Sequence, residues 1–304
     1  MLRRIYTAAR TRWQESEDVS AYLRQKEGFP LNVDIQKDIP YGPETDKYRK
    51  MDLYYTAGME QVLLPTVIYI RGGTAYSGSK ELCQAFNMEI ASRYYAVLSV
   101  DYRPYAWADF RAQLQDVCEA LCYVERHLPQ LPCDRERLYL CGDSGGALLA
   151  LYACAVCGAQ EVADAFGVER PGLRFRAAGF LSGLFFATGE NSKELPGHMR
   201  RLLLPWNDRQ KPYYPWMDTK RLLERCEFPP VFLQTSTGDR FRRQTLELEI
   251  LLTRRGIFHR LKEWEETAGE QPRLEYRFCI QHPKWPESLG TLEEMLKFFE
   301  GGPL

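Results

Sequence analysis

One serine in this chain stands between glycines, in Gly142-Asp143-Ser144-Gly145-Gly146. The apolar stretch Arg137–Cys141 precedes it, and a helix pattern from Ala147 to Val156 follows. A tight strand-to-helix turn pushes a hydroxyl away from the backbone at a helix N-terminus, where it can attack a carbonyl carbon. The glycine-serine-glycine spacing alone arises by chance; its strand–turn–helix setting is the specific part. A serine hydroxyl is a poor nucleophile near neutral pH, so a base must take its proton and an acid must orient that base. The chain has four histidines. His127 closes a helix pattern, His198 lies in an irregular insertion and His259 sits in a charged connection. His282 follows the apolar alternation Leu274–Ile280, read as a strand, and completes a serine–acid–histidine order. His282 is therefore the expected base. Asp239, at the end of Gln234-Thr-Ser-Thr-Gly-Asp239 after a strand pattern, is the expected acid; a helix-capping role is compatible with it. Asp218, the one nearby rival, ends the insertion and does not follow a strand.

Attack on a carbonyl creates an oxyanion that needs fixed N–H donors. Gly145 follows the nucleophile, and Gly72 and Gly73 end an early strand, so their amides are the expected donors. Asp143 either anchors the glycine loop or orients the turn. Arg71 and Thr74 flank the two glycines and are expected to support the loop or line the substrate pocket. Asp101, Tyr102 and Arg103 follow another strand and are expected to brace the loops from below, with Asp116 either paired to Arg103 or on a solvated helix face.

These groups need a rigid frame. Strand patterns at Lys50–Tyr55, Thr66–Ile70, Ala96–Val100, Arg137–Cys141, Ala177–Leu181, Pro230–Gln234 and Leu274–Ile280 alternate with helix patterns at Ser79–Tyr94, Phe110–His127, Ala147–Val156 and Arg242–Arg255. Thr291 and Glu294 suggest a capping box for a last helix ending at Phe299. Such alternation predicts the α/β class: a mostly parallel central sheet covered by helices on both faces, with functional groups at the carboxyl ends of the strands. The 304 residues are read as one domain, 1–304. Residues 1–35 are read as an N-terminal helical segment that joins a cap. Residues 184–220, rich in aromatics and proline and without a period, are read as a lid.

Composition narrows the partners. Forty Lys and Arg balance forty-one Asp and Glu, which gives no electrostatic reason for nucleic acid or an anionic membrane. No apolar run reaches the length of a transmembrane helix, and the basic start lacks the apolar core of a secretory signal. Nine cysteines, an odd and scattered set, point to buried thiols in a reducing, cytoplasmic setting. Cys154 and Cys157 share a helix pattern and read as apolar filling.

With these residues in place, the sequence resembles the α/β-hydrolase superfamily, and within it the hormone-sensitive-lipase-like esterases. Gly142-Asp-Ser-Gly-Gly-Ala-Leu-Leu-Ala150 is similar to that group's GDSAGG segment. Asp101-Tyr-Arg-Pro with Phe110 and Asp116 is similar to its DYRLAP block, and Thr66-Val-Ile-Tyr-Ile-Arg-Gly-Gly-Thr74 to its strand and HGGG loop. Ser77-Gly-Ser-Lys80 resembles the short motif after that loop, and Thr237-Gly-Asp239 the acid loop. Arg71 stands where the group has histidine, and Thr74 replaces its third glycine. Two readings stay open for Arg71: it holds the loop, or it brings a fixed positive charge to the pocket.

The resemblance implies Ser144, Asp239 and His282 as triad, and Gly72, Gly73 and Gly145 as oxyanion hole. It also implies no cofactor and no metal. The expected activity is hydrolysis of small acyl esters, such as acetyl esters, through an acyl-enzyme. A small-amide hydrolase or serine peptidase on the same scaffold is one alternative, and a non-catalytic binding protein is another. The expected partner is a small-molecule ester; a homodimer is left open.

Overall fold

The computed structural model describes residues 28–73, 78–105, 107–195, 197, 200, 203, 206–266 and 274–301. The elements run β1 (Val33–Pro40), β2 (Lys50–Thr56), β3 (Leu64–Ile70), α1 (Gln84–Ala91), β4 (Ala96–Val100), α2 (Phe110–His127), β5 (Cys133–Asp143) and α3 (Ser144–Gly158). Then come α4 (Gln160–Phe166), β6 (Ala177–Leu181), α5 (Thr219–Arg225), β7 (Val231–Ser236), α6 (Arg242–Arg255), β8 (His259–Trp264), α7 (Phe278–Gln281) and α8 (Pro286–Gly301).

The strands form one sheet in the order β1-β2-β4-β3-β5-β6-β7-β8. β1 and β2 pair antiparallel, β2 lies antiparallel to β4, and every pair from β4 to β8 is parallel. The central strands are buried along their whole length and mostly apolar because both faces are covered. One face packs Leu98, Leu140, Phe180 and Leu233 under α2, α3 and α6. The other packs Val67, Tyr139 and Phe232 under α1, α7 and α8. Register sets Ile70 beside Gly142, Gly142 beside Phe180, and Leu181 beside Gln234. The chain therefore leaves β3, β5, β6 and β7 along one rim, and the candidate residues from Arg71 to Asp239 leave with it.

Two sequence readings at the C-terminal end are corrected. His259–Trp264, read as a charged connection, is β8, the edge strand beside β7. Leu274–Ile280 is not a strand. Glu275 makes a single bridge to Gly238, Tyr276 and Arg277 turn, and Phe278 starts the one-turn helix α7. The apolar alternation there reflects burial of Leu274, Phe278 and Ile280 under the sheet, which a turn and a short helix achieve as well as a strand. The capping box at Thr291 is also corrected. α8 starts five residues earlier, and the Thr291 hydroxyl lies inside it, accepting a hydrogen bond from Trp264 Nε1 at 2.8 Å and donating to the Glu287 carbonyl.

Within the segment 1–35, residues 1–27 lie outside the described residues and Val33 already begins β1. The described parts of 184–220 are short 3-10 turns, Glu190–Glu194, Trp206–Gln210 and Tyr214–Met217, leading into α5. Their roots are sunk in the main core through Leu184, Phe185, Phe186, Trp216 and Met217. Asp218 caps α5 by accepting from Lys220 N.

Candidate active site

Ser144 is the first residue of α3, directly after β5. Its φ is +54°, a left-handed conformation that costs a non-glycine residue roughly 1–3 kcal/mol and persists only where the surroundings enforce it. Close approach of α3 to β3 enforces it here. A Cβ on Gly146 would lie 2.2 Å from the carbonyl oxygens of both Ile70 and Arg71, so no other residue fits at that position. Ser144 is 9% exposed, and its hydroxyl opens at the rim of the sheet.

Asp143, fully buried, joins three loops. Its Oδ1 accepts hydrogen bonds from Tyr69 OH and from Gly72 N, each at 2.9 Å, and its Oδ2 pairs with Arg277 Nε. Of the two roles open in the sequence, Asp143 takes the anchoring one. This corrects Gly72 as an oxyanion donor: its N–H is committed to Asp143. A Cβ on Gly72 would lie 2.4 Å from Asp143 Oδ2, so the contact requires glycine. Gly73 (φ +99°) is the next amide along the loop, and Thr74 lies outside the described residues. Gly145 sits in the first turn of α3, where backbone N–H groups lack intrahelical acceptors.

Arg71 is fully buried below this loop. Nε pairs with Asp101, Nη1 donates to the Gly72 carbonyl at 2.9 Å and Nη2 to the Tyr102 carbonyl at 2.6 Å. The guanidinium lies over the Tyr102 ring at 4.0 Å. The Asp101 carboxylate holds the guanidinium pKa above its ordinary value despite burial, which pushes the other way. All three guanidinium nitrogens bond to protein groups, so Arg71 holds the loop and does not line a pocket. Beside it, Arg103 pairs with Asp116 at 2.5 Å, one of the two arrangements the sequence left open.

Asp239 follows β7 and is 5% exposed. It accepts from Phe241 N at 2.8 Å and from Thr235 Oγ1 at 3.2 Å, and burial raises its carboxyl pKa. The group on the Ser144 hydroxyl, however, is Tyr276. The phenol OH hydrogen-bonds Ser144 Oγ. The ring lies edge-on to Phe241, with the Arg240 guanidinium 4.9 Å from its centroid. Burial raises the phenol pKa, while the neighbouring Arg277 charge acts in the opposite direction. His282 comes six residues later, past α7, with its ring stacked on Trp285 at 3.8 Å. Tyr276 thus stands on Ser144 Oγ, where the sequence leads one to expect His282: the last strand is β8, and the chain returns from it to the rim at Tyr276. Of the other histidines, His127 stacks on Tyr123 and His259 begins β8, both at the opposite end of the sheet, and His198 lies outside the described residues.

No apolar alternation marks His259–Trp264 as a strand, so the sequence carried no signal that set Tyr276 at the rim. Among the described residues, no group of three or more His, Cys, Asp or Glu side chains is placed to hold a metal ion. A cavity of about 430 Å³ opens between the end of α3 and the starts of β6 and β7, lined by Cys157, Phe175 and Glu227, at the end of the sheet opposite Ser144.

Comparison with known proteins agrees with the sheet. Residues 51–170 match the BD-FAE family. Isoprenylcysteine alpha-carbonyl methylesterase ICME of Arabidopsis thaliana is 26% identical over 135 residues, 44% of this chain and 30% of that protein. A probable isoprenylcysteine alpha-carbonyl methylesterase of Oryza sativa subsp. japonica is 27% identical over 122 residues, 40% of this chain and 28% of its own. The chain thus spans less than a third of the length of these curated relatives. Phosphonate-inhibited esterase B from Lactobacillus rhamnosis superposes with a TM-score of 0.87 at 25% identity, covering 97% of this chain and 94% of that one. Esterase LipW from Mycobacterium marinum has the same fold, with a TM-score of 0.70 at 21% identity over 98% of this chain and 90% of its own. The chain belongs to the α/β-hydrolase superfamily.

Proposed function

We propose that this chain is a serine-hydrolase-type esterase that uses Ser144 to cleave small acyl esters, acetyl esters among them, through an acyl-enzyme. The observation that carries the reading is the conformation of Ser144: a left-handed serine held at the start of α3 by a glycine that no larger residue can replace. Strain of this kind is kept where exposing a nucleophile needs it. The likeness to a phosphonate-inhibited esterase over nearly the whole chain supports the same reading. In it, Oγ attacks the ester carbonyl while the amides of Gly73 and Gly145 receive the developing oxyanion. Asp239 supplies a buried negative charge at the rim, and the described parts of 184–220 form an apolar wall over the acyl group. Nine unpaired cysteines, mostly buried, fit a reducing, cytoplasmic setting.

A fluorophosphonate probe tests the reading. We expect it to label Ser144 and to leave Ser144→Ala unlabelled, with short-chain p-nitrophenyl ester hydrolysis lost in the same variant. Hydrolysis that persists in Ser144→Ala would refute it. One observation favours a second reading, a binding protein on a hydrolase fold: the Ser144 hydroxyl is held by a phenol. That reading expects neither labelling nor hydrolysis from the unaltered chain.

A further inference from the structure

We propose that Tyr276 is the proton-carrying catalytic residue of this chain, working on Ser144 from the place an imidazole would fill. The inference rests on the esterase reading of Ser144 and specifies how that serine is served. The geometry is direct, because Tyr276 OH and Ser144 Oγ are hydrogen-bonded to each other. The ring is fixed by Phe241 on its edge and Arg240 near its face, so the hydroxyl is aimed and not swinging. The charged groups around it are Asp143 at the end of β5, Asp239 after β7, Arg240 beside Asp239, and Arg277 next in the chain. Arg277 is itself paired to Asp143. Burial raises the phenol pKa against the opposing charge of Arg277, with Asp143 and Asp239 adding to the rise, so Tyr276 stays a neutral O–H across the working range. It can therefore pass protons only by exchanging one for another.

The step balances on those terms. Oγ bonds to the carbonyl carbon, its proton moves to the phenolic oxygen, and the phenol's own proton moves to the departing alkoxy oxygen as that C–O bond breaks. An alcohol and acyl-Ser144 result, with Tyr276 neutral again. Water then adds to the acyl carbon and gives a proton to the phenolic oxygen. The phenol returns its proton to Oγ as the acyl–Oγ bond breaks, releasing the acid. No charged base accumulates, so no imidazole titration should shape the rate.

The test is the pH profile of kcat/KM on a short-chain p-nitrophenyl ester for the full chain and four variants. Thermal unfolding of each variant checks that it is folded. We expect the unaltered chain to show no inflection near the ordinary histidine pKa of about 6.5. Tyr276→Phe should lose about 10²-fold or more, the scale of a lost proton-transfer group. Tyr276→His should introduce an inflection near about 6.5, and His282→Asn and His198→Asn should keep the parental profile. An inflection in the unaltered chain that either histidine variant removes would overturn the proposal. So would Tyr276→Phe at full rate, or an unaltered chain inert toward every ester while Tyr276→His turns over. Failure of the esterase reading looks different: Ser144→Ala would retain hydrolysis, or no variant, Tyr276→His included, would be labelled at Ser144.

Discussion

Among the described residues Arg71 is the largest fully buried side chain, and it sits directly beneath the glycine loop. A buried cation is tolerable only when its partners are complete. Here Asp101, two backbone carbonyls and the Tyr102 ring complete them, and the Tyr102 hydroxyl returns a bond to the Arg71 carbonyl at 3.0 Å. A histidine at this position would have fewer donors for the same carbonyls. We expect Arg71→Met to cost about 3–5 kcal/mol, because it leaves Asp101 buried without its counter-charge. Arg71→Met combined with Asp101→Asn should recover part of that loss. Urea unfolding of the single and double variants measures both. Recovery would identify the pair as the origin of the cost, whereas additive losses would point to packing alone. The position of Arg71 beside the two glycines was legible in the sequence; its direction was not, since a positive charge near a pocket and one below it look alike until Asp101 and Tyr102 are placed.

The elements show which sequence signals carry and which mislead. α2 was readable to the residue, because Phe110–His127 keeps one apolar face and begins after Asp109, which accepts a bond from Ala112 N at 2.8 Å. Asp109→Ala should cost about 1 kcal/mol, as loss of an N-cap does, and leave labelling of Ser144 unchanged, since its carboxylate bonds the backbone of α2 at Ala112 N. A lower thermal midpoint with full labelling checks it. Gly256 similarly ends α6 at φ +65° where the helix pattern stops. β8 was hidden for a physical reason. An edge strand is protected from unwanted pairing by charge, and His259-Arg-Leu-Lys-Glu-Trp264 carries that charge at the cost of its apolar pattern. With β8 unseen, the alternation at Leu274–Ile280 took its place, and the residue after it, His282, inherited the base's role. The elbow depends less on that assignment, because Gly146 and Ser144 are placed by local geometry, whereas the base depends on which strand comes last.

At the scale of the whole molecule, the sheet buries phenols on both faces. Tyr41, Tyr69 and Tyr152 lie there, with Tyr276 half-buried at the rim, and burial raises the pKa of all four. A group whose folded pKa exceeds its unfolded value binds its proton more tightly when folded. Its contribution to stability is full below about pH 10 and falls as pH rises above that value. The buried thiols of Cys118 and Cys154, also raised by burial, act with the same sign from about pH 8.5 upward. On the acid side the signs oppose. Asp46, lowered by the Tyr48 backbone N–H and by Arg49, and Asp134, lowered by Arg137, lose their contribution as pH falls, while Asp116 and Asp239, raised by burial, gain from protonation. Mild acid should therefore change stability little, and alkali should reduce it steeply. Absorbance at 295 nm, followed together with near-ultraviolet circular dichroism, tests this. The buried phenols should ionise only as the tertiary signal collapses, in one transition above about pH 10. Ionisation of the full tyrosine complement with that signal intact would mean the sheet's faces admit water, and Tyr276 could then reach the phenolate that a neutral proton exchange excludes.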